Sequence, residues 1–175
     1  MQFKSQYKHI HMNTDPVIWL NDIQITGNKI ELFVIKNNLD SIYIPSSPFI
    51  ISPYDSLNYY QQIKGNLLYG KLKEQKIEYV KIDGNSKMKY FEKNKSNKLK
   101  IGLNNIESGS LKLLFQNNTV KQVVCINQIE SNYLELNRNN KTERTNKQLY
   151  FEDFKLINRL FIQNKSTETN NVLTD

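Results

Sequence analysis

Residues 63–82 have the sequence IKGNLLYGKLKEQKIEYVKI, and their pattern occurs twice more in the chain. Residues 25–44 and 106–125 align with this stretch without gaps, at offsets of 38 and 43. Self-similarity at a fixed period of this length is the sequence signature of a repeat architecture. The chain therefore contains three copies of one structural unit.

Each unit has two apolar groups separated by a polar turn. In the first group the apolar residues alternate with others, as in Leu111, Leu113 and Phe115, which is the period of a half-buried β-strand. The turns lie at residues 36–38, 74–76 and 116–118, and the first and third contain Asn, which tolerates positive φ. Each unit is therefore predicted to be a β-hairpin. Because a hairpin with one apolar face is not stable alone, the units are expected to stack edge to edge around a shared core.

Short additional strands are predicted after each hairpin. These strands are expected at residues 49–52, 88–92 and 133–136, the second of them after a turn at 83–85. Residues 8–20 have the pattern of the tail of a preceding unit, with Met12 in the register of Ile50 and Met88.

The chain beyond the repeats is polar and then briefly apolar. The predicted organisation is a β-repeat domain over 1–136, a polar linker over 137–148, a capping strand or short helix over 149–163, and a disordered tail over 164–175. A helix is an alternative for the third segment because Phe151, Phe154 and Ile157 fit helical spacing.

The composition is basic, with 24 Lys and Arg against 17 Asp and Glu and a net charge of +7. The chain has 21 Lys but only 3 Arg, so it nearly lacks the bidentate guanidinium groups typical of dedicated nucleic-acid readers. A run of lysines over 87–100, with Tyr90 and Phe91 among them, keeps a nucleic-acid-binding module as the weakest alternative. A solvated loop is the favoured interpretation of this run, and no nucleic-acid partner is expected.

Nothing in the sequence predicts an enzyme, a cofactor or a metal. Cys125 is the single cysteine and has no nearby base, and residues 65–72 resemble a phosphate-binding loop without its final Ser or Thr. His9 and His11 share one strand face, but the sequence shows no third ligand to complete a site, so surface histidines are favoured.

The sequence shows no targeting or membrane-spanning segment. The longest apolar runs, such as 16–20 and 48–52, are far shorter than the roughly 18 residues that a membrane-spanning helix needs. The first eight residues have no apolar stretch typical of a secretory signal. The expectation from this is a cytoplasmic protein or a start that lies further upstream.

Three short motifs carry a resemblance to a known family. They are IKGN at 63–66, VKIDGN at 80–85 and IGLNNIES at 101–108, the last followed by the apolar residues of 111–115. In order and spacing they resemble the OstA-like proteins of Bacteroidetes, which are similar to the LptA, LptC and LptD N-terminal family of lipopolysaccharide transport. The resemblance covers about residues 8–136.

The resemblance implies a fold, a function and a location. It implies an all-β jellyroll or "β-taco", in which two antiparallel sheets enclose an apolar groove, in the periplasm or cell envelope. It implies a non-enzymatic module that holds the acyl chains of lipopolysaccharide or a related lipid and pairs with other β-taco proteins, or with its own copies, through edge strands. An assembly scaffold that pairs in this way without carrying lipid is the alternative. The candidate groove residues are Ile30, Leu32, Val34, Ile42, Ile44, Leu68, Leu72, Val80, Ile82, Leu111, Leu113, Phe115, Val123 and Cys125.

Overall fold

The computed structural model describes residues 7–54, 59–93, 100–116, 119–137 and 147–158. These residues form an all-β protein whose one helical element is a short 3-10 turn, Lys147–Leu149. In chain order the strands are β1 (Tyr7–Asn13), β2 (Val17–Leu20), β3 (Ile23–Thr26), β4 (Lys29–Ile35), β5 (Asn38–Ile44), β6 (Phe49–Pro53), β7 (Tyr60–Lys64), β8 (Leu67–Lys73), β9 (Lys76–Lys93), β10 (Lys100–Gln116), β11 (Thr119–Ile126) and β12 (Glu130–Asn137). No helix among the described residues is long and apolar enough to cross a membrane.

The strands form one antiparallel sheet that curls into two facing layers. Layer A contains β1, β4, β5, β8, the first part of β9, the second part of β10, and β11. Layer B contains β2, β3, β6, β7, the second part of β9, the first part of β10, and β12. Because β9 and β10 are long enough to cross from one layer to the other, the sheet is continuous and forms a half-barrel. The all-β prediction is confirmed, and the curled sheet is consistent with a β-taco or jellyroll-like fold.

The hairpin turns lie where the repeat predicts them. Residues 36–37 join β4 to β5 and residues 74–75 join β8 to β9, so each connection has two residues. All four residues have φ between +49° and +62°. This conformation at both central positions matches the right-handed twist of the flanking strands. Of the third predicted turn, at 116–118, residue 116 ends β10 and residues 117–118 lie outside the described residues.

At the opposite ends of the strands, the chain turns a corner between the layers. Each unit closes this corner with an equivalent backbone hydrogen bond: Asn28 N–H to Ser46 O at 3.2 Å, Asn66 N–H to Gly84 O at 2.9 Å, and Gly109 N–H to Asn127 O at 2.8 Å. The donors of these three bonds, and likewise the acceptors, are 38 and 43 residues apart along the chain, which are the offsets of the sequence repeat. The three units are therefore equivalent in backbone structure as well as in apolar pattern.

Two glycines allow the chain to pass close to an isoleucine at these corners. A Cβ atom at Gly27 would lie 2.4 Å from Cγ2 of Ile44, and a Cβ at Gly65 would lie 2.4 Å from Cγ2 of Ile82. The third unit has Ser108 in place of the glycine and the smaller Cys125 in place of the isoleucine.

Two sequence predictions need correction. Residues 83–85 do not end a strand: Gly84 (φ +77°) and Asn85 (φ +47°) form a corner within the continuous strand β9. Met12 lies in β1 opposite Ile30, whereas Ile18 of β2 occupies the row of Ile50. The physical reason is that the connection between β2 and β3, residues 21–22, is shorter than the connection between β6 and β7, residues 54–59, so an offset of 38 residues fails there. The strands predicted at 49–52 and 133–136 are confirmed as β6 and β12.

The main core lies between the layers. Cross-strand neighbours form one apolar row on the inner face of layer A, consisting of Ile44, Leu68, Ile82, Leu111 and Cys125. A facing row in layer B consists of Ile18, Ile25, Ile50, Ile63, Met88 and Ile106. Both rows belong to one cluster of buried and half-buried side chains.

Candidate functional site

The fourteen candidate groove residues all lie on layer A. Nine are at most 4% exposed and belong to the core between the layers: Ile30, Ile42, Ile44, Leu68, Leu72, Val80, Ile82, Leu111 and Leu113. Four are half-buried and pack against that core: Leu32, Phe115, Val123 and Cys125. Val34, near the hairpin turn, is half-buried. Thirteen of the fourteen residues therefore belong to the inter-layer core or pack against it, whereas a role of these residues in lipid binding stays a prediction.

A cavity of about 470 Å³ opens between the layers at the strand ends furthest from the corners. We call it the mouth cavity. Its apolar lining consists of Ile23, Ile50, Pro53, Tyr54, Ile63, Met88, Tyr90, Phe115 and Val120, and its polar lining of Asn21, Asp22, Ser52, Gln61 and Thr119. Small-molecule sites in proteins have volumes of about 300–1,000 Å³ and the same mainly apolar character. The mouth cavity is therefore large enough and apolar enough to take a ligand.

Only Phe115 of the fourteen candidate residues lines the mouth cavity. The other apolar lining residues come mostly from layer B. They lie outside the alternating apolar groups of the three repeat units. Ile23 and Ile50 were detectable in principle because each belongs to a short strand with several apolar residues. The sequence did not show that these strands face the end of β10 across a gap.

Gln61 shapes the gap on the layer B side of the cavity. Strands β7 and β9 pair only over Gln62–Lys64 and Lys87–Lys89, after which they diverge. The Gln61 amide spans the divergence: its Nε2 donates to Phe91 O at 2.9 Å and its Oε1 accepts from Phe91 N–H at 2.6 Å. One side chain thus satisfies the donor and the acceptor that would otherwise bond to a neighbouring strand.

A second apolar cluster lies on the outer face of layer B. It contains Tyr59, Phe91, Ile101, Leu103, Leu136 and Leu149, all at most 4% exposed, with Tyr54, Leu134 and Tyr150 packed against them. Residues 149–158 run across this face, and we call them the C-terminal strap. The predicted capping strand or short helix over 149–163 is thus, in its described part, an irregular segment that covers a sheet face. Residues 138–146 of the predicted linker and all of the predicted tail lie outside the described residues.

Two buried glutamines attach the C-terminal strap to layer B. Gln62 Nε2 donates to Leu149 O at 2.8 Å, and its Oε1 accepts from Phe151 N–H at 2.8 Å. Gln24 makes the same pair of bonds with Lys155 O at 2.8 Å and Ile157 N–H at 2.9 Å. Sequence reasoning missed these residues, although the two glutamines are 38 residues apart and thus obey the repeat offset.

A lysine contributes to the same attachment. Lys89 Nζ donates to Gln148 O at 2.6 Å and to Asn105 Oδ1 at 2.8 Å, and it lies 5.1 Å from the ring centroid of Phe151. Burial lowers the pKa of Lys89 because the charged ammonium is partly removed from water, while the carboxylate of Glu107 opposes that shift.

The lysine run over 87–100 is interpreted from the sequence as a solvated loop, but its described residues, 87–93 and 100, belong to strands β9 and β10. Lys87 and Lys89 alternate with the inward-facing Met88, so their ammonium groups are on the outer face of layer B, where Lys87 pairs with Glu107 at 2.8 Å. Phe91 is fully buried and therefore has no exposed face on which a base could stack. Residues 94–99 of the run lie outside the described residues.

No family model, curated protein or solved structure matches the chain. The candidate function therefore depends on the cavity, its lining and the exposed edges of the sheet.

Cys125 and most of residues 65–72, which the sequence raised as a reactive thiol and a phosphate-binding loop, lie in strands of the sheet. Burial raises the pKa of the Cys125 thiol, which keeps it protonated at neutral pH. Leu67–Lys73 forms strand β8, as the repeat predicts, in place of the loop and helix that a phosphate-binding motif requires.

Proposed function

We propose that the protein is a non-enzymatic lipid-binding or bridge module of cell-envelope lipopolysaccharide transport or outer-membrane biogenesis. In this proposal the mouth cavity holds acyl chains of lipopolysaccharide or a related lipid, and no cofactor takes part. The observation that carries the proposal is the mainly apolar lining of a cavity of about 470 Å³ that opens between two sheet layers. The resemblance to OstA-like proteins supports the choice of lipid class and a location in the periplasm or cell envelope.

The size of the hydrophobic term favours weak and reversible binding. Burying a methylene group stabilises a complex by about 0.8 kcal/mol, so about ten methylenes contribute about 8 kcal/mol. Association costs at least about 4 kcal/mol, which leaves a net free energy near 4 kcal/mol and a Kd near 1 mM. One chain of this length would exchange readily, as a carrier requires, and partners would have to supply the direction of transfer.

Tighter binding requires a wider opening of the interior. The nine candidate residues in the closed core reach a lipid only when the layers separate beyond Phe115 and Val120. Their contribution would then add to that of the mouth cavity. A lipid with several acyl chains is the ligand expected to drive this separation.

Site-specific photo-crosslinking tests the proposal. A benzophenone amino acid replaces Phe115, which lines the mouth cavity, or Lys81, an exposed residue between the inward-facing Val80 and Ile82 and therefore on the outer face of layer A. The full chain is expressed in a lipopolysaccharide-producing host and irradiated. We expect lipid adducts at position 115 and few or none at position 81. Equal labelling at both positions, or its absence at both, would contradict lipid binding in the cavity.

The edges of the two layers favour a second candidate function, an assembly scaffold that joins partners or its own copies without carrying lipid. Strands β1 and β2 end the layers on one side, and β11 and β12 end them on the other. Most exposed large apolar residues of the described chain lie on these strands or beside them: Tyr7, Ile10, Ile35, Ile126, Ile129 and Tyr133. Edge strands with exposed apolar residues are suited to pairing with another chain.

Sedimentation velocity over a range of concentrations tests the scaffold. We expect reversible self-association that weakens when Ile10→Lys places a charge on β1, and no change for Lys8→Gln on the same strand. A single monomeric species at every concentration, without binding to a candidate β-taco partner, would exclude the scaffold. That result would leave the lipid-binding proposal intact, because crosslinking at position 115 reports on it separately.

A further inference from the structure

The outer face of layer A brings together two histidines and a glutamate from two strands. His9 and His11 are the only histidines of the chain, and they share one face of edge strand β1 because they are two residues apart. Glu31 of β4 lies directly opposite His11 in the strand register. The carboxylate that the sequence did not reveal as a third ligand thus comes from the neighbouring strand.

The three side chains are arranged around one point. Glu31 Oε2 lies 3.1 Å from His9 Nε2, and Glu31 Oε1 lies 3.9 Å from His11 Nδ1. One nitrogen of each histidine and one Glu31 oxygen all lie within 4.8 Å of one another. The imidazole of His9 stacks on Phe33, with ring centroids 4.3 Å apart and planes 17° apart, which restrains its orientation.

We propose that His9, His11 and Glu31 bind a divalent transition-metal ion such as Zn²⁺. Two imidazole nitrogens and one carboxylate oxygen are a ligand set that suits Zn²⁺ and its neighbours, whereas Mg²⁺ and Ca²⁺ require oxygen ligands. Ligands at about 2.0–2.2 Å from a tetrahedral metal are about 3.3–3.6 Å apart. The side chains therefore need to move together by about 1 Å, which rotation of surface side chains provides.

Lys29 competes with the metal for Glu31. Its Nζ lies 2.7 Å from Glu31 Oε1, the oxygen that also faces His11. The Lys29 side chain is 39% exposed, so its ammonium group can withdraw into water when a metal binds. Metal binding would therefore replace the Lys29 ammonium group with the metal ion at the Glu31 carboxylate, which is only 15% exposed.

This site is independent of the proposed lipid function. It lies on the outer face of layer A, whereas the mouth cavity lies between the layers. A bound metal would join edge strand β1 to β4, and His9, His11 and Glu31 would fill three of its four tetrahedral positions.

Calorimetric titration of the full chain with Zn²⁺ tests the site. A Cys125→Ser background removes the one thiol that could bind zinc elsewhere. We expect one zinc per chain, at least about tenfold weaker binding in Glu31→Gln and in His11→Gln, and no competition from excess Mg²⁺. Absence of zinc binding by the folded chain, or equal affinity in Glu31→Gln, would overturn the proposal.

Two further variants separate metal binding from damage to the fold. Glu107→Gln changes another glutamate that pairs with a lysine, 2.8 Å from Lys87 Nζ, and we expect it to leave zinc affinity unchanged. Lys29→Met removes the competing cation, and we expect it to bind zinc more tightly than the parent. A misfolded variant cannot produce that gain. Weaker binding in Lys29→Met, or an equal loss in Glu107→Gln, would count against the site.

Discussion

The core between the layers and the cluster beneath the C-terminal strap are both apolar and both well buried, yet they form in different ways. In the inter-layer core, equivalent positions of three repeat units fall in common rows across the strands. In the cluster beneath the strap, Phe91 and Leu103 of the sheet meet Leu149 from a segment with no repeat partner. The first region is closed by the sheet itself, and the second by a segment attached through side-chain amides. We therefore expect the inter-layer core to unfold with the whole protein and the strap to detach locally.

The largest expected effect is a truncation in the inter-layer core. Leu111→Ala removes a fully buried side chain from the central row and should lower the free energy of unfolding by about 2–5 kcal/mol, because it leaves a cavity. Leu114→Ala, a half-buried residue of the same strand, should cost less than half as much. Urea denaturation monitored by circular dichroism measures both. Equal losses would mean that the core is not concentrated between the layers.

The corner glycines provide a second test of that core. Gly65→Ala places a Cβ 2.4 Å from Ile82 Cγ2 and should lower the free energy of unfolding by about 1–3 kcal/mol through overpacking. Gly70→Ala is the matched control, because its Cβ would lie 3.8 Å from the nearest side-chain atoms, those of Leu68 and Val80. We expect Gly70→Ala to be neutral or slightly stabilising in the same measurement. A neutral Gly65→Ala would show that the corner relaxes easily.

The strap should respond to loss of a glutamine clamp. Gln62→Leu removes two hydrogen bonds to the strap backbone, and we expect its docking to weaken by about 1–2 kcal/mol. Hydrogen exchange should accelerate in residues 149–158 and change little in β8. Gln122→Leu, at an exposed position of β11, is the control. Uniform acceleration through β8 would show that the strap and the inter-layer core form one cooperative unit.

The smallest expected effect lies outside both apolar regions, at an ion pair on the outer face of layer A. A hydrogen bond from Lys71, 2.6 Å away, holds the pKa of Asp40 below its ordinary value of 3.8, and Ser41 assists. Because the folded state favours the ionised carboxylate, the pair stabilises the protein above about pH 4, and this contribution is lost as pH falls through the lowered pKa. Both side chains are partly exposed, so it amounts to less than about 1 kcal/mol.

Urea denaturation of the parent and of Asp40→Asn at several pH values checks this prediction. The stability difference between the two should be present at pH 7 and should disappear at low pH. A difference that does not change with pH would show that the carboxylate contributes through packing and not through its charge.

The repeat predicted most of the sheet because its information is local. Alternating apolar residues defined the strands, and the polar residues at 36–37 and 74–75 marked turns whose positive φ the structure confirms. The corner at Gly84 was predicted as the end of a strand, since glycine and asparagine permit a corner and a turn equally well. Pairing of β9 with β7 and β10 decides between the two, and that pairing is not visible in a local pattern.

The strap and the candidate sites depend on contacts between distant residues. Helical spacing of Phe151, Phe154 and Ile157 did not produce a helix, because Gln24 and Gln62 satisfy the strap backbone from 87 to 133 residues away. The mouth cavity likewise needs the layer B strands to face the end of β10. Sequence patterns predicted which strand faces are apolar. They did not predict how far apart the facing layers lie, which depends on contacts between distant residues.

Lipid retention tests the central claim most directly. The full chain is purified from a lipopolysaccharide-producing membrane host and analysed by native mass spectrometry, beside a carrier known to keep its lipid. Val120→Trp fills the mouth cavity, whereas Val124→Trp, whose neighbour Lys112 is on the other face of layer A, adds the same side chain outside it. We predict that the parent and Val124→Trp retain a lipid with several acyl chains and that Val120→Trp does not, since a single chain held with a Kd near 1 mM would be lost during purification. A parent chain free of lipid, or equal retention by Val120→Trp, would contradict the proposed function.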